Sequence, residues 1–591
     1  MAALAASTGP HTMTPLRPVA AAALLALAPG ALAGTLHVDF GLATGANDGS
    51  SWSNAFQGQD GLQAALAVAV PGDRIFVAKG SYRPSAIGDR ADAFRMATGV
   101  EIYGGFAGGE TDPAQRPPLG TSVSTLTGDL DGNDGSGTIS DNSYHVVRAG
   151  GSDSTAVLDG FTITAGNGNG PSNNDRGGGL ISGGQATVTI RSCRFVANRC
   201  SFGGGAVYIT NSAPSFTDCS FEDNNGGAFG GAFDIAQAGA VRFERCRFLG
   251  NRANRAGALE IFATSGVVVT NCLFQGNTAT GNSGGGALWM GSGGNTVLAN
   301  CTVVGNAATS QAQGGLRVQG ANPSIVNSIF WGNSGAGGAQ GSTNQIAGAT
   351  NVAYTIVQGG LAGVGNSGAD PMLDSELRLA PGSPAIDAGN NGGVPSGVLL
   401  DLDGQNRFVD DAVTPDTGVG PAPVVDLGSF EYAGAGQTGI PFCFGDGSGT
   451  PCPCANTGSA GSGCGNGSFA GGATLGASGF AKVSSDTLVL EVVGTVPSSP
   501  GIFFQGDSLV SGGAGNPLGD GLLCAGAPIR RTAPRFANAS GAVSSNVPLA
   551  ATLGAQAGQT KRYQWWYRDA GGSPCGSGFN LSNGLEIVWA P

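Results

Sequence analysis

One row of side chains in this sequence has the types and spacing for acid–base chemistry. Tyr208, Asp234, Glu260, Trp289 and Arg317 each stand between two apolar residues: Val207 and Ile209, Phe233 and Ile235, Leu259 and Ile261, Leu288 and Met290, Leu316 and Val318. That alternation is the period of a β-strand, so the apolar pairs face a core and the residue between them faces out. On neighbouring stacked strands, Asp234 and Glu260 would stand roughly 5 Å apart at Cα. Two carboxylates so placed can divide into a protonated acid and an ionised base or nucleophile, an arrangement suited to cleaving glycosidic bonds. Tyr208, Trp289 and Arg317 would then contact the sugar, with Ala206, Ala232, Ala258 and Ala287 as a shallow floor. The plainer expectation is a solvated outer face, because exposed positions must be filled by something polar.

A second cluster of oxygen ligands lies at Gly128–Gly135, where Asp129, Asp131, Asn133 and Asp134 could hold Ca²⁺. It departs from an EF-hand loop, with Asp134 where a glycine belongs and no closing glutamate, so an Asx-turn loop is the alternative. Asp401-Leu402-Asp403-Gly404 is a weaker echo, and no other cofactor is indicated. Beyond the N-terminal segment only His37 and His145 remain, which weakens any histidine-based mechanism.

The elements that must position these residues are legible as a repeat. Cys-x-Phe-x-x-Asn recurs at Cys193/Phe195/Asn198, Cys219/Phe221/Asn224, Cys246/Phe248/Asn251 and Cys272/Phe274/Asn277, with variants Cys301/Val303/Asn306 and Ser328/Phe330/Asn333. The Asn-to-Asn spacings are 26, 27, 26, 29 and 27. Period-2 patterning rich in Val, Thr, Phe and Gly excludes helical hairpins, and two or three short strands joined by bends fill about 27 residues. Each unit is therefore one coil of a parallel β-helix. The asparagines fall at a corner, where they can bond local backbone, tolerate a left-handed conformation and form a ladder between coils. Gly204-Gly205, Gly230-Gly231, Gly285-Gly286 and Gly314-Gly315 mark another bend. Gly61–Ala69 reads as a short helix, apolar on one face, that covers the N-terminal end.

These motifs resemble the repeats of right-handed parallel β-helix proteins, especially the polymorphic outer-membrane protein type of bacterial surface proteins. The resemblance is specific over about residues 155–335. Flanking segments resemble large secreted β-helix proteins: Asp73–Tyr82, Leu126–Gly132, and Gly382–Gly389, the last of which, with Asp370-Pro371 before it and Asp426–Tyr432 after, resembles the closing segment of such helices. The family implies no single activity. Its polysaccharide lyases typically use a basic residue to abstract a proton, and lysine is absent from the repeats, leaving Arg317 for that role.

The last third is different. Cys443, Cys452, Cys454, Cys464, Cys524 and Cys575 form an even set that predicts three disulfides, with fifteen connectivities open. The first six cysteines, by contrast, read as buried packing residues. Short β-patterns at Thr487–Val493, Gly501–Gln505, Tyr563–Arg568 and Leu585–Trp589 predict a disulfide-stapled sandwich joined through Ala433–Thr438. Tyr563, Trp565 and Tyr567 share one strand face, as its core or, if exposed, as a surface for sugar rings. The segments Arg562–Asp569 and Gly576–Leu585 resemble a C-terminal module of secreted bacterial proteins with no known activity.

At the other end, Arg17, the apolar run Val19–Ala28 and Ala31-Leu32-Ala33 read as an export signal cleaved after Ala33. The chain of 591 residues carries 107 glycines, 27 Lys plus Arg and a net charge of −13. Acidity with three lysines argues against nucleic acid, and no later apolar run is long enough for a membrane span. The expectation is an all-β protein: a signal peptide over 1–33, a right-handed parallel β-helix with a capping helix over 34–435, and a disulfide-rich β domain over 441–591. The leading functional reading is a secreted or cell-surface monomer, non-catalytic, that binds an extracellular polysaccharide or cell-surface component. The alternative is a polysaccharide lyase or glycoside hydrolase using Asp234 and Glu260.

Overall fold

The computed structural model describes residues 34–589 except 265, 294, 312, 339, 412–413, 433–438, 480 and 484–485. The export signal and the Ala433–Thr438 linker fall outside the described residues. From Thr35 to Val357 the chain winds as a right-handed β-helix with three parallel sheets of twelve, ten and nine strands. Each central coil contributes one strand to each, as Thr189–Arg191, Arg194–Val196 and Val207–Thr210 do to the first, second and third. Register between coils follows the motifs, with Phe195 opposite Phe221 and Phe221 opposite Phe248. Pairing like with like from coil to coil turns the sequence repeat into continuous interior columns.

Those columns hold the structure together. Phe195, Phe221, Phe248 and Phe274 stack with centroid separations of 5.1, 5.1 and 4.4 Å, all fully buried. The repeat asparagines are fully buried too, and each amide nitrogen donates to the side-chain oxygen one coil on. The ladder runs from Asn198 to Asn333 and ends on Gln345 Oε1, at 2.7 Å. From Asn224 on, each asparagine oxygen also accepts the backbone amide of the preceding asparagine, and Asn198 accepts that of Gly166, so neither end of the amide is wasted.

The left-handed residue is not the asparagine, as the sequence suggested, but the one before it: Ala197, Asp223, Gly250, Gly276, Gly305 and Gly332 all have positive φ. That frees the asparagine side chain to point inward. At the glycine bend both glycines are sterically demanded: Gly230 has a φ of 49°, and a Cβ there would stand 1.8 Å from Phe233 O. A Cβ on Gly231 would stand 1.9 Å from Gly257 O in the next coil.

The helix Gly61–Val68 covers the N-terminal end as expected, burying Leu62 and Ala65 against the core. At the other end Leu361 packs on the core, and the Ser367 strand edge pairs with Ile356. Residues 371–432, expected to close the helix, instead turn back along its side over the second sheet. Leu379, Ala385, Ile386 and Leu427 pack on Ile329 and Ile356, and Leu402 and Phe430 pack on Leu273. Polar contacts extend the path, with Asn271 Nδ2 donating to Leu400 O at 2.6 Å and Arg247 reaching Asp403 at 2.8 Å. The reason is visible in the second sheet, whose later strands place Leu273, Ile329 and Ile356 on the outer face and so require a cover.

The C-terminal module is a sandwich. A seven-stranded antiparallel sheet includes Pro500–Leu509, Thr560–Arg568 and Gly584–Val588, and a three-stranded one is formed by Thr474–Ser478, Val489–Val493 and Val543–Ser544. Leu475, Leu490 and Val492 meet Phe503, Tyr563, Trp565 and Tyr567 between them. Three disulfides, Cys443–Cys524, Cys452–Cys464 and Cys454–Cys575, close it. Among the described residues no helix is long and apolar enough to cross a membrane.

Candidate functional site

The third sheet aligns the row in the order expected: Tyr208 pairs with Asp234, Asp234 with Glu260, Glu260 with Trp289 and Trp289 with Arg317. The row points away from the interior, yet it is not a solvated face. Tyr208, Asp234, Glu260 and Trp289 are only 6, 4, 2 and 4 % exposed, and Arg317 is half-buried. The segments that precede each glycine bend fold over it as a roof. Arg176, Gly203, Phe229 and Arg255 occupy equivalent roof positions, bridged in parallel from coil to coil.

The roof binds the row by charge and by aromatic contact. Arg176 Nη1 donates to the Tyr208 hydroxyl at 2.7 Å, and its guanidinium lies over the rings of Phe202 and Tyr208, 4.2 and 4.9 Å away. Arg255 lies between Phe229 and Trp289, at 4.5 and 4.0 Å, and chelates Glu260 through Nε at 3.1 Å to each oxygen and through Nη2. Arg317 Nη1 donates to Ser283 O at 2.7 Å.

Asp234 fits where the roof has no side chain. A Cβ on Gly203 would be 2.2 Å from Asp234 Oδ2. Burial raises the Asp234 carboxyl to about 7, with Glu260 adding to the rise and Arg176 and Arg255 opposing it. Burial also raises Glu260, against the pull of Arg255. Burial thus raises both carboxyls, with Arg255 bonded to Glu260, and the pair is enclosed. Ala206, Ala232, Ala258 and Ala287 belong to the interior core and not to an outer floor, because the chain turns at the bend and brings two successive residues inward. Sequence alternation found the row but missed Arg176, Phe202, Phe229 and Arg255. Their signal was their recurrence just ahead of each glycine bend, on segments too short and irregular to read as strands.

In the 128–135 loop, Asp129 is occupied by its own backbone, accepting from the amides of Asn133 and Asp134 at 3.0 and 3.2 Å. Asp131 is exposed. The unsatisfied oxygens lie further along: Asn133, Asp134, Asp141 and Asn142 each bury an Oδ1 without a hydrogen-bond partner. Burial raises Asp134, and Asp129 and Asp141 add to that, while Asn142, donating to Asp134 Oδ2 at 3.2 Å, and Arg199 lower it. Each is a hard oxygen of the type Ca²⁺ takes. Asp141 and Asn142 escaped the sequence reading because the chain returns to the loop only after the short helix Asp134–Ser136. Asp401 makes Asx-type turns, accepting from Asp403 and Gln405 amides, and Asp403 pairs with Arg247 and Arg378.

His145 is buried between Gly177 O and Asn174 Oδ1, and burial lowers it to about 4. Tyr563, Trp565 and Tyr567 are fully buried core residues of the sandwich and offer no face to a sugar. An open cavity of about 270 Å³ lies where the returning segment meets the C-terminal module, lined by Arg247, Glu376, Arg378, Asp403, Phe430 and Lys482.

A family model for the right-handed β-helix region matches residues 136–308. Among solved structures the chain is similar to pectate lyase Pel9A, at 15 % identity and a TM-score of 0.34, covering 67 % of this chain and 96 % of that one. It is also similar to full-length tailspike protein 2 from Escherichia coli O157:H7 bacteriophage CAB120, at 10 % identity and a TM-score of 0.26, covering 94 % of this chain and 68 % of that one. No curated protein matches it at a significant level.

Proposed function

We propose that this protein is an extracellular, non-catalytic β-helix that binds a polysaccharide or another cell-surface component as a monomer. The observation that carries the reading is the closure of the third-sheet row: a glycan cannot reach Asp234 and Glu260 while Arg255 holds Glu260 and the roof covers both. In this reading the row locks roof to sheet, and ligand contact falls to open surfaces such as the cavity lined by Arg247, Arg378, Phe430 and Lys482. Phe430 beside the ion-paired Arg247, Arg378 and Asp403 offers a ring and hydrogen-bonding groups of the kind a sugar takes. The three disulfides support an oxidising, extracellular location.

The adjacent carboxyls, with Asp234 raised by burial, favour a second reading, lyase or hydrolase activity with Asp234 as the protonated acid, which would require the roof to open. One experiment separates the two. The full chain is incubated with polygalacturonate, alginate, xylan and neutral glucans, and both retention on the immobilised polymer and release of new chain ends are measured. Binding without cleavage is the expected result. Cleavage abolished by Asp234→Asn and Glu260→Gln would establish the enzyme instead.

A further inference from the structure

A second acidic group lies on the returning segment, remote in sequence from the row and from the 128–142 loop. Asp387 follows the buried Ala385 and Ile386, and its backbone oxygen accepts the amides of Thr417 and Gly418 at 2.9 and 3.0 Å. Those bonds hold a later stretch of the same segment across it. As a result, one carboxylate oxygen each from Asp387, Asp410 and Asp416 all lie within 4.8 Å of one another.

Asp387 is the informative member. It is fully buried, and neither carboxylate oxygen makes a well-formed hydrogen bond, the Asp411 amide coming near enough only to temper its charge. Its buried neighbours are differently placed: Asp426 accepts the amides of Asp387 and Tyr432, and Asp401 accepts those of Asp403, Gln405 and Glu431. A buried carboxylate with two empty oxygens is costly unless something positive meets it. Burial raises Asp387 to about 6; the nearby Asp411 amide opposes this, and Asp410, Asp416 and Asp411 add to it. The charged neighbours that act on it most strongly are thus acidic.

We propose that Asp387, Asp410 and Asp416 form a Ca²⁺ site that ties the two halves of the returning segment together. Donors that are all carboxylate oxygens select a hard cation over zinc or copper. A span of up to 4.8 Å between donors suits an ion lying 2.3–2.6 Å from each oxygen, a looser fit than Mg²⁺ demands. Asp410 and Asp416 are exposed, which leaves their side of the ion open to water ligands. The site is independent of the proposed glycan binding.

The test is calorimetric titration of CaCl₂ into the full chain stripped with EDTA, with thermal unfolding measured alongside. The Asp410→Asn/Asp416→Asn double variant changes only exposed residues. It is expected to bind one Ca²⁺ fewer per chain than wild type and to lose that part of the Ca²⁺-dependent rise in Tm. Asp416→Asn alone should weaken the same site at least tenfold. Asp134→Asn/Asp141→Asn controls for the other loop and should leave the Asp387 signal in place. A wild-type chain that binds no Ca²⁺, or a 410/416 double variant with unchanged stoichiometry, would overturn the proposal.

Discussion

Asp234 illustrates how the position of one carboxyl sets a pH response. In the folded chain it exchanges its proton at about pH 7, because burial and Glu260 both disfavour the anion. In the unfolded chain an aspartate titrates near 3.9. Between these values the folded state holds more protons, so this group's contribution makes stability fall as pH rises from about 4 to about 7. Asp234→Asn keeps the shape and removes the ionisation. It should raise stability at pH 8 by about 1–3 kcal/mol, have a smaller effect at pH 5, and flatten the profile in urea unfolding. Alternation made the row's order legible in the sequence, because strand period alone fixes which residues are neighbours. Its enclosure was not legible. The covering residues Arg176 and Arg255 act through guanidinium–ring and guanidinium–carboxylate contacts between segments with no periodic signature of their own.

Among the elements, the asparagine ladder was the most legible, since six copies at near-constant spacing admit few other architectures. What spacing could not show is that each ladder amide depends on a left-handed residue before it. The consequence can be measured at Asn251, whose oxygen accepts from both the backbone and side-chain nitrogens of Asn224 and whose nitrogen donates to Phe221 O and Asn277. Asn251→Ala leaves several buried groups unpaired at once and should cost about 2–4 kcal/mol in chemical denaturation. A loss under 0.5 kcal/mol would mean that the ladder is decorative. The returning segment was misread for an instructive reason: its buried aspartates and apolar residues were recognisable, but nothing in their spacing tells an end cap from a side cover.

The whole molecule carries two cysteine populations with opposite chemistry. Six form disulfides in the C-terminal module, and six lie buried and unbridged in the coils, where desolvation raises the thiols of Cys193, Cys219, Cys246 and Cys272. The native, unreduced chain should therefore give no reaction with a thiol-specific chromogen, and the same chain in guanidinium should give six. Fast labelling of the native protein would show that coils open locally. The returning segment bears on this, because it contacts strands from Arg247 to Ile356 at fixed points. Most solenoids can gain or lose a repeat by duplication or deletion, since each repeat meets only its neighbours. Here an added coil between those strands would slide every anchor out of step by one strand spacing, roughly 4.8 Å. The fold thus carries its own ruler, and its length can drift in evolution only on the N-terminal side of Arg247.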